Sequence, residues 1–259
     1  MLARLHPFDT IENFRDFGDY ATAAGRRVRP GRLFRSGHHG RACEADLDRL
    51  QALDVGVVVD LRRSIERERQ PSRRPADFAG QVIESDLGGD GEAPHITFLK
   101  TSDLTPESGR RFMRDIYGRM PFGPGHVDLF SRYFRALGEA EGAVLIHCAA
   151  GKDRTGLLVA LTHHLLGVGE ADMIEDYLLT NTTVRLVERA PEMARKIQEM
   201  TGRTPSDDAI VAFMGVDEAY LRAALDAIRE RFGSVDAYLE GALGVDAGLR
   251  GRIEARLAA

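Results

Sequence analysis

A strand, a loop and a helix follow one another between residues 143 and 167, and this segment constrains the fold more than any other. The apolar run at 143–146 is typical of a buried strand. Residues 156–167 are mostly apolar and end in Gly167, which is typical of a buried helix closed by a glycine. The loop between them reads His-Cys-Ala-Ala-Gly-Lys-Asp-Arg-Thr. We therefore expect a cysteine where a buried strand ends and an arginine where a buried helix begins.

This loop is suited to holding an oxyanion. Successive backbone N–H groups in such a turn surround an anion, and the N-terminus of the following helix adds positive potential at the same place. The same field favours the thiolate form of Cys148, which is the nucleophilic form. The planar guanidinium of Arg154 matches two oxygens of a phosphate. We predict that Cys148 attacks phosphorus while Arg154 binds the equatorial oxygens of the transition state.

The other loop residues are predicted to assist these two. His147 would fix the loop and favour the thiolate of Cys148, and Thr155 would hydrogen-bond the sulfur as it leaves. Lys152 adds a cation, which suits a polyanionic substrate or, more simply, raises the affinity for any phosphate. The backbone N–H groups predicted to bind the phosphate are those of Ala149, Ala150, Gly151, Lys152, Asp153 and Arg154.

The bare pattern of a cysteine and an arginine six positions later is weak, because the chain contains it a second time. Cys43 and Arg49 have the same spacing, but the residues between them include three carboxylates and no glycine, with the apolar spacing of a helix surface. That copy would repel phosphate. The copy at Cys148 adds Gly151, Thr155 and a position between a strand and a helix. The alternative to a catalytic Cys148 is an ordinary buried cysteine.

The pattern His-Cys-x-x-Gly-Lys-Asp-Arg-Thr-Gly resembles the phosphate loop of cysteine-dependent phosphatases. Its Gly-Lys-Asp-Arg form is similar to the bacterial tyrosine/lipid phosphatases typified by mycobacterial protein tyrosine phosphatase B. The resemblance spans nearly the whole chain. The further segments that carry it are 13–18 (Asn-Phe-Arg-Asp-Phe-Gly), 32–37 (Arg-Leu-Phe-Arg-Ser-Gly), 58–62 (Val-Val-Asp-Leu-Arg), 176–181 (Asp-Tyr-Leu-Leu-Thr-Asn), and 238–239 (Tyr-Leu) after 232–234 (Phe-Gly-Ser).

The resemblance implies one α/β domain over residues 1–259, with a tyrosine-phosphatase-like, mostly parallel central sheet flanked by helices. It places a helical lid insertion at 95–122, where ordinary helix packing is the alternative. A helical part at 168–259 is expected to cover one face of the sheet. The apolar pattern agrees, since it predicts a central parallel strand at 55–60. It also predicts strands at 33–36 and 81–84 and helices at 44–53, 127–137, 172–180, 184–200, 217–232 and 247–257.

Catalysis also requires an acid that protonates the leaving oxygen. The resemblance implies Asp86, on a glycine-rich loop after the strand at 81–84, and Asp153 is the rival. Both have a plainer interpretation, Asp86 as a turn residue and Asp153 as a loop-stabilising partner of an arginine. The resemblance further implies that Arg15 and Arg35 brace the floor of the site, although surface charge would explain them equally well.

The composition limits the kinds of molecule that the protein is expected to bind. A net charge of −5 gives no basic surface for nucleic acid, and no stretch has transmembrane length. The N-terminus shows no signal-peptide pattern, which predicts a cytoplasmic protein, although the family resembled includes exported members. Of the two cysteines, Cys43 is predicted to be a buried helix residue, with a protective disulfide to Cys148 as the alternative. No metal, cofactor or oligomeric state is implied.

The leading hypothesis is a metal-independent phosphomonoesterase with a phosphocysteine intermediate. The resemblance implies phosphotyrosine and phosphoinositide substrates, with phosphoserine and phosphothreonine also open. Two alternatives remain: a non-catalytic phosphate-binding module, and another thiolate-loop enzyme such as an arsenate reductase. A nucleotide-binding P-loop is excluded, because Lys152 lacks the preceding glycine spacing and the following Ser or Thr.

Overall fold

A computed structural model describes residues 4–87 and 94–259 of the chain. Its centre is a five-stranded sheet with the spatial order β1-β2-β5-β3-β4. Strand β5 pairs in parallel with β2 and β3, β3 pairs in parallel with β4, and β1 pairs antiparallel with β2 at one edge. The strands are β1 Arg15–Asp16, β2 Leu33–Ser36, β3 Val55–Asp60, β4 Gln81–Ile83 and β5 Ala143–His147.

Helices flank this sheet and make up most of the chain after β5, so the predicted α/β fold class is confirmed. In chain order, the helices of the described residues are α1 Glu44–Gln51, α2 Ser64–Arg69, α3 Pro94–Thr101, α4 Pro106–Arg119, a 3-10 turn Met120–Phe122, α5 Pro124–Glu139, α6 Asp153–Leu165, α7 Glu170–Thr183, α8 Leu186–Thr201, α9 Asp207–Met214, α10 Glu218–Phe232, α11 Val235–Gly241 and α12 Ala247–Leu257.

Strand β5 is buried along its whole length, as its apolar run predicts. Its side chains alternate between two cores. Val144 and Ile146 belong to the main core, which also takes residues from helices α4 to α12. Ala143 and Leu145 belong to a smaller core on the opposite face, under α1. The C-terminal helices share this core and pack chiefly against α4, α5 and α6. Their covering of one face of the sheet stays a prediction.

Helices α9 and α11 were absent from the prediction. They are short, with eight and seven residues, and the sequence revealed no apolar period in either. Each has a serine N-cap, however: the side chains of Ser206 and Ser234 accept hydrogen bonds from the backbone N–H groups of Ala209 and Ala237. Those serines were the available signal.

The predicted lid insertion at 95–122 corresponds to α3, α4 and the 3-10 turn. Helix α4 packs against α9 and α10, and α3 packs against α8. Phe98 of α3, Phe112 of α4 and Phe213 of α9 form a cluster of rings, with centroids 4.3 to 5.8 Å apart. The segment is thus joined to the C-terminal helices, and its function as a lid stays a prediction.

Within the segments 4–87 and 94–259, we find no helix with both the length and the apolar character that a bilayer crossing demands.

Candidate active site

The loop between β5 and α6, residues 148–152, lies against the end of β2. Cys148 follows the last residue of β5 and is only 2% exposed. Gly151 has a φ of +64°, which disfavours any side chain. A Cβ at that position would overlap the carbonyl group of Ser36 and lie 2.7 Å from the nitrogen of Gly37. The loop therefore reaches this position only with glycine at 151.

Buried side chains fix the carbonyl side of the loop. Arg35 donates a hydrogen bond from Nη2 to the Gly151 oxygen at 2.8 Å. The Asn13 amide donates to the Gly151 oxygen at 2.8 Å and to the Ala150 oxygen at 3.1 Å. Because C=O and N–H point in opposite directions across a planar trans peptide, the N–H groups of these two peptides face the other way. The loop thus presents N–H groups to an anion on its outer side.

A buried carboxylate in turn holds the arginines beneath the loop. Asp176 of α7 accepts from Arg35 Nη1 at 2.6 Å and from Arg15 Nε at 3.2 Å, and both arginine side chains are fully buried. Burial would raise the pKa of Asp176, but Arg15 and Arg35 outweigh it and hold that pKa well below its ordinary value. Two guanidinium groups thus face one carboxylate. The expectation that Arg15 and Arg35 brace the floor of the site is confirmed.

The guanidinium of Arg154 is held by a partner that the sequence did not reveal. Glu66 of α2 accepts from Arg154 Nη1 at 2.7 Å and from Nη2 at 2.9 Å, and Nη1 also donates to the Leu61 oxygen at 3.0 Å. Burial would raise the pKa of Glu66, but the hydrogen bonds and charge of Arg154 lower it to about 2. This two-point contact fixes the plane of the guanidinium at the carboxyl end of the sheet. Asp60 at the end of β3 instead binds Arg62 at 2.7 Å.

His147 and Thr155 are both fully buried beside the loop. His147 lies 3.7 Å from an Asp60 oxygen and stacks on His39 at a centroid distance of 4.5 Å. Burial lowers the pKa of His147 to about 4, so its ring is neutral at pH 7 and adds no positive charge at Cys148. The hydroxyl of Thr155 finds no hydrogen-bond partner among the residues that the structure describes. It is therefore available to a reacting sulfur or oxygen atom.

The side chain of Lys152 is buried, and its use for a polyanionic substrate stays a prediction. Its Nζ donates to the Met214 oxygen at 2.9 Å and lies 3.6 Å from Asp153 Oδ2. Met214 is the last residue of α9, where the helix dipole favours a cation. The ammonium thus joins the loop to the end of α9, a helix that the sequence did not predict.

A cavity of about 650 Å³ opens beside Asp153 and Arg154. Its apolar wall is supplied by α4 and the 3-10 turn, and includes Phe112, Met113, Ile116 and Met120. The charged and titratable side chains on its wall include Arg63, Glu66, His95, Arg119, His126, Asp153 and Arg154. The loop arginine therefore lies at one end of a space large enough for a substrate.

Known proteins match this chain over nearly its full length. A family model described as the tyrosine phosphatase family matches residues 6–259. The chain belongs to the tyrosine phosphatase family. A protein of Cupriavidus necator named as a tyrosine-protein phosphatase is 38% identical over 250 residues, which are 94% of this chain and 86% of that protein. The triple specificity protein phosphatase PtpB of Mycobacterium tuberculosis is 33% identical over 261 residues, covering 89% and 91% of the two chains.

In this tyrosine phosphatase, the two candidate acids occupy different environments. Asp153 lines the cavity, and its Oδ1 accepts a hydrogen bond from the Tyr117 hydroxyl at 2.9 Å. The side chain of Asp86 is 81% exposed and forms an ion pair with Arg67. Asp86 is not among the cavity-lining residues, although Ser85 and Leu87 on either side of it are. Residues 88–91 of its predicted loop lie outside the described residues.

Both cysteines of the phosphatase are free thiols. Cys43 is the N-cap of α1 and is only partly buried, so the prediction of a buried helix residue is wrong: the thiol lies at the helix start, 4.0 Å from an Asp9 oxygen. Arg49, in the same helix, pairs with Asp9 at 2.9 Å. The second Cys-Arg pattern therefore lies on a surface helix, as the spacing of its apolar residues predicted.

Proposed function

We propose that this phosphatase hydrolyses phosphate monoesters through a phosphocysteine intermediate. One arrangement supports the proposal: a loop that only glycine at 151 permits, with Cys148 at its start and the Glu66-bound Arg154 at its end. The N-terminus of α6 and the excess cation beneath the loop favour the binding of phosphate.

In the first step, the thiolate of Cys148 attacks phosphorus and forms an S–P bond, while the bond from phosphorus to the leaving oxygen breaks. The acid transfers its proton to that oxygen. In the second step, water attacks phosphorus, the acid takes a proton from the water, and the S–P bond breaks to restore the thiolate. Thr155 donates its unpartnered hydroxyl to the departing sulfur.

The contacts favour Asp153 as this acid. It adjoins Arg154 and borders the cavity, where it meets a substrate whose phosphate occupies the loop. Asp86 would first have to leave Arg67 and turn inward from solvent. We therefore assign the proton transfer to Asp153.

The cavity supports phosphotyrosine as a substrate, because the apolar wall of α4 suits an aromatic ring next to the loop. Arg63 and Arg119 also line the cavity and suit a second phosphate group, as a phosphoinositide carries. The M. tuberculosis relative is named for triple specificity, which extends the proposal to phosphoserine and phosphothreonine. A free cysteine as nucleophile suits a reducing compartment, and we propose that the enzyme acts in the cytoplasm.

The proposal is tested by release of phosphate from a phosphotyrosine peptide, a phosphoserine peptide and phosphoinositides, with a metal chelator present. Wild-type activity is expected to survive the chelator, and Cys148→Ser is expected to have none. If the wild type binds phosphate but releases none from any substrate, the chain is the non-catalytic binding module. Activity retained in Cys148→Ser would also overturn the mechanism.

Lys152→Ala is expected to lower kcat/KM on phosphotyrosine and on phosphoinositides by similar factors, about tenfold each, because the ammonium binds α9 and Asp153 and not the substrate. The check is a comparison of the two kcat/KM ratios for the variant and the wild type. A loss confined to phosphoinositides would restore the interpretation drawn from the sequence, in which Lys152 binds a second phosphate.

A further inference from the structure

We propose that Tyr117 is a positioning residue for proton transfer: its hydroxyl orients Asp153 and stabilises the carboxylate that forms when Asp153 gives up its proton. The inference rests on the function proposed above and adds a residue from the segment 94–122 to the catalytic machinery. The observation behind it is a line of hydrogen bonds between three side chains: Tyr177 of α7, Tyr117 of α4 and Asp153 at the start of α6.

The hydrogen bonds along this line all point toward the carboxylate. Tyr177 donates from its hydroxyl to the Tyr117 oxygen at 2.6 Å, and Tyr117 donates to Asp153 Oδ1 at 2.9 Å. Both tyrosines are at most 1% exposed, so water does not compete for these bonds. A hydroxyl that accepts one hydrogen bond donates a stronger one, and the effect grows where the surroundings are apolar. The line thus directs two hydroxyl groups in series at the Asp153 carboxylate.

The other groups around Asp153 leave this role to Tyr117. Lys152 lies 3.6 Å from Oδ2, and its ammonium also bonds the end of α9. Arg154 is engaged by Glu66 through two hydrogen bonds. Tyr220 of α10 bonds the Ala212 oxygen. Among the residues that the structure describes, Tyr117 donates the hydrogen bond to Asp153 Oδ1. Asp153 Oδ2 is then the oxygen that carries the transferred proton.

This arrangement changes one step of the reaction. When the phosphorus–oxygen bond breaks, Asp153 passes its proton to the leaving oxygen and becomes a carboxylate. The Tyr117 hydroxyl is already directed at that carboxylate and needs no reorientation during the step. The benefit depends on the leaving group, because a poor leaving group needs more proton transfer in the transition state than a good one.

The experiment compares Tyr117→Phe with wild type on a good and a poor leaving group, p-nitrophenyl phosphate and an alkyl phosphate. We expect kcat to fall about tenfold for the alkyl phosphate and less than threefold for p-nitrophenyl phosphate, with KM unchanged. In an Asp153→Asn background, Tyr117→Phe is expected to cause no further loss. The matched control is Tyr133→Phe, which removes another buried hydroxyl, bonded to Thr162 at 2.9 Å and not among those that line the cavity.

Equal losses of kcat on the two substrates would overturn the proposal. A full additional loss of kcat in the Asp153→Asn background would also overturn it. Either result would mean that Tyr117 has a purely structural role. If Tyr117→Phe does not fold, Tyr177→Phe keeps the direct bond to Asp153 and is expected to show the same leaving-group pattern to a smaller extent. A uniform loss in that variant counts against the proposal. Failure of the proposed function would give a different result from failure of the Tyr117 proposal: the wild type would be inactive, or Cys148→Ser would be active.

Discussion

Replacing Gly151 by alanine is expected to lower kcat/KM by about 100-fold or more, since a displacement near 1 Å in an active site costs about that much. The new Cβ would overlap the Ser36 carbonyl group, and the nitrogen of Gly37 would be 2.7 Å away. Neither is a flexible side chain, because both are backbone at the end of β2. The loop must therefore move, and its N–H groups and Cys148 move with it.

A matched control separates this clash from backbone strain. Gly244 has a φ of +71°, close to the +64° of Gly151, but no atom of the described residues lies within 4 Å of the place that a Cβ would take there. Gly244→Ala is expected to cost about 1 kcal/mol of stability from strain and to retain full activity. The measurements are kcat/KM and the free energy of unfolding for both variants. Gly151→Ala with activity within threefold of wild type would show that the loop does not need its contact with β2.

The second large effect is expected at Asp176. Asp176→Asn keeps the shape of the side chain but leaves the guanidinium groups of Arg15 and Arg35 buried without a counter-charge. Breaking a buried ion pair in this way costs about 3–5 kcal/mol. The free energy of unfolding by denaturant measures it. Activity is expected to fall too, because Arg35 also holds the Gly151 carbonyl.

The control for Asp176 is a carboxylate that also contacts two basic side chains but lies at the surface. Asp236 is 60% exposed and pairs with Arg250 at 2.6 Å and with His164 at 3.3 Å. Asp236→Asn is expected to cost less than about 1 kcal/mol. Equal costs for the two variants would contradict the assignment of Asp176 as the carboxylate that stabilises the floor of the site.

The pH dependence gives a second check on Asp176. Its pKa is lower in the folded than in the unfolded protein, so its contribution is full above about pH 4, the unfolded value, and is lost as the pH falls below that value. The stability difference between wild type and Asp176→Asn is therefore expected to shrink on acidification. A difference that stays constant from pH 7 to pH 3 would mean that the charge of Asp176 is not what stabilises the wild type.

The parts of the site that the sequence predicted are local. The order of strand, loop and helix around Cys148, the glycine at 151 and the arginine at 154 lie within a few residues of one another, where turn and capping chemistry decides the structure. Helix α12 was predicted at its observed bounds, and β2 likewise, because a clear apolar pattern ends at a turn in each case.

The parts that the sequence did not predict are pairings between distant residues. Arg154 and Glu66 are 88 positions apart, and Arg35 and Asp176 are 141 apart. No local rule selects one carboxylate from the 40 acidic residues for a given arginine. The contact of Lys152 was not predicted for the same reason, because its partner is the end of α9, which was itself not predicted.

The surplus positive charge beneath the loop also has a consequence for the end of the reaction. Two guanidinium groups share one carboxylate there, so one buried positive charge has no counter-charge within this group of three. An oxyanion bound in the loop would offset that charge. Inorganic phosphate, the product, supplies that oxyanion as well as a substrate does. We expect free phosphate to raise the melting temperature of the protein and to compete with substrate for the loop. Turnover in a phosphate-rich compartment then depends on how readily the loop gives up its anion.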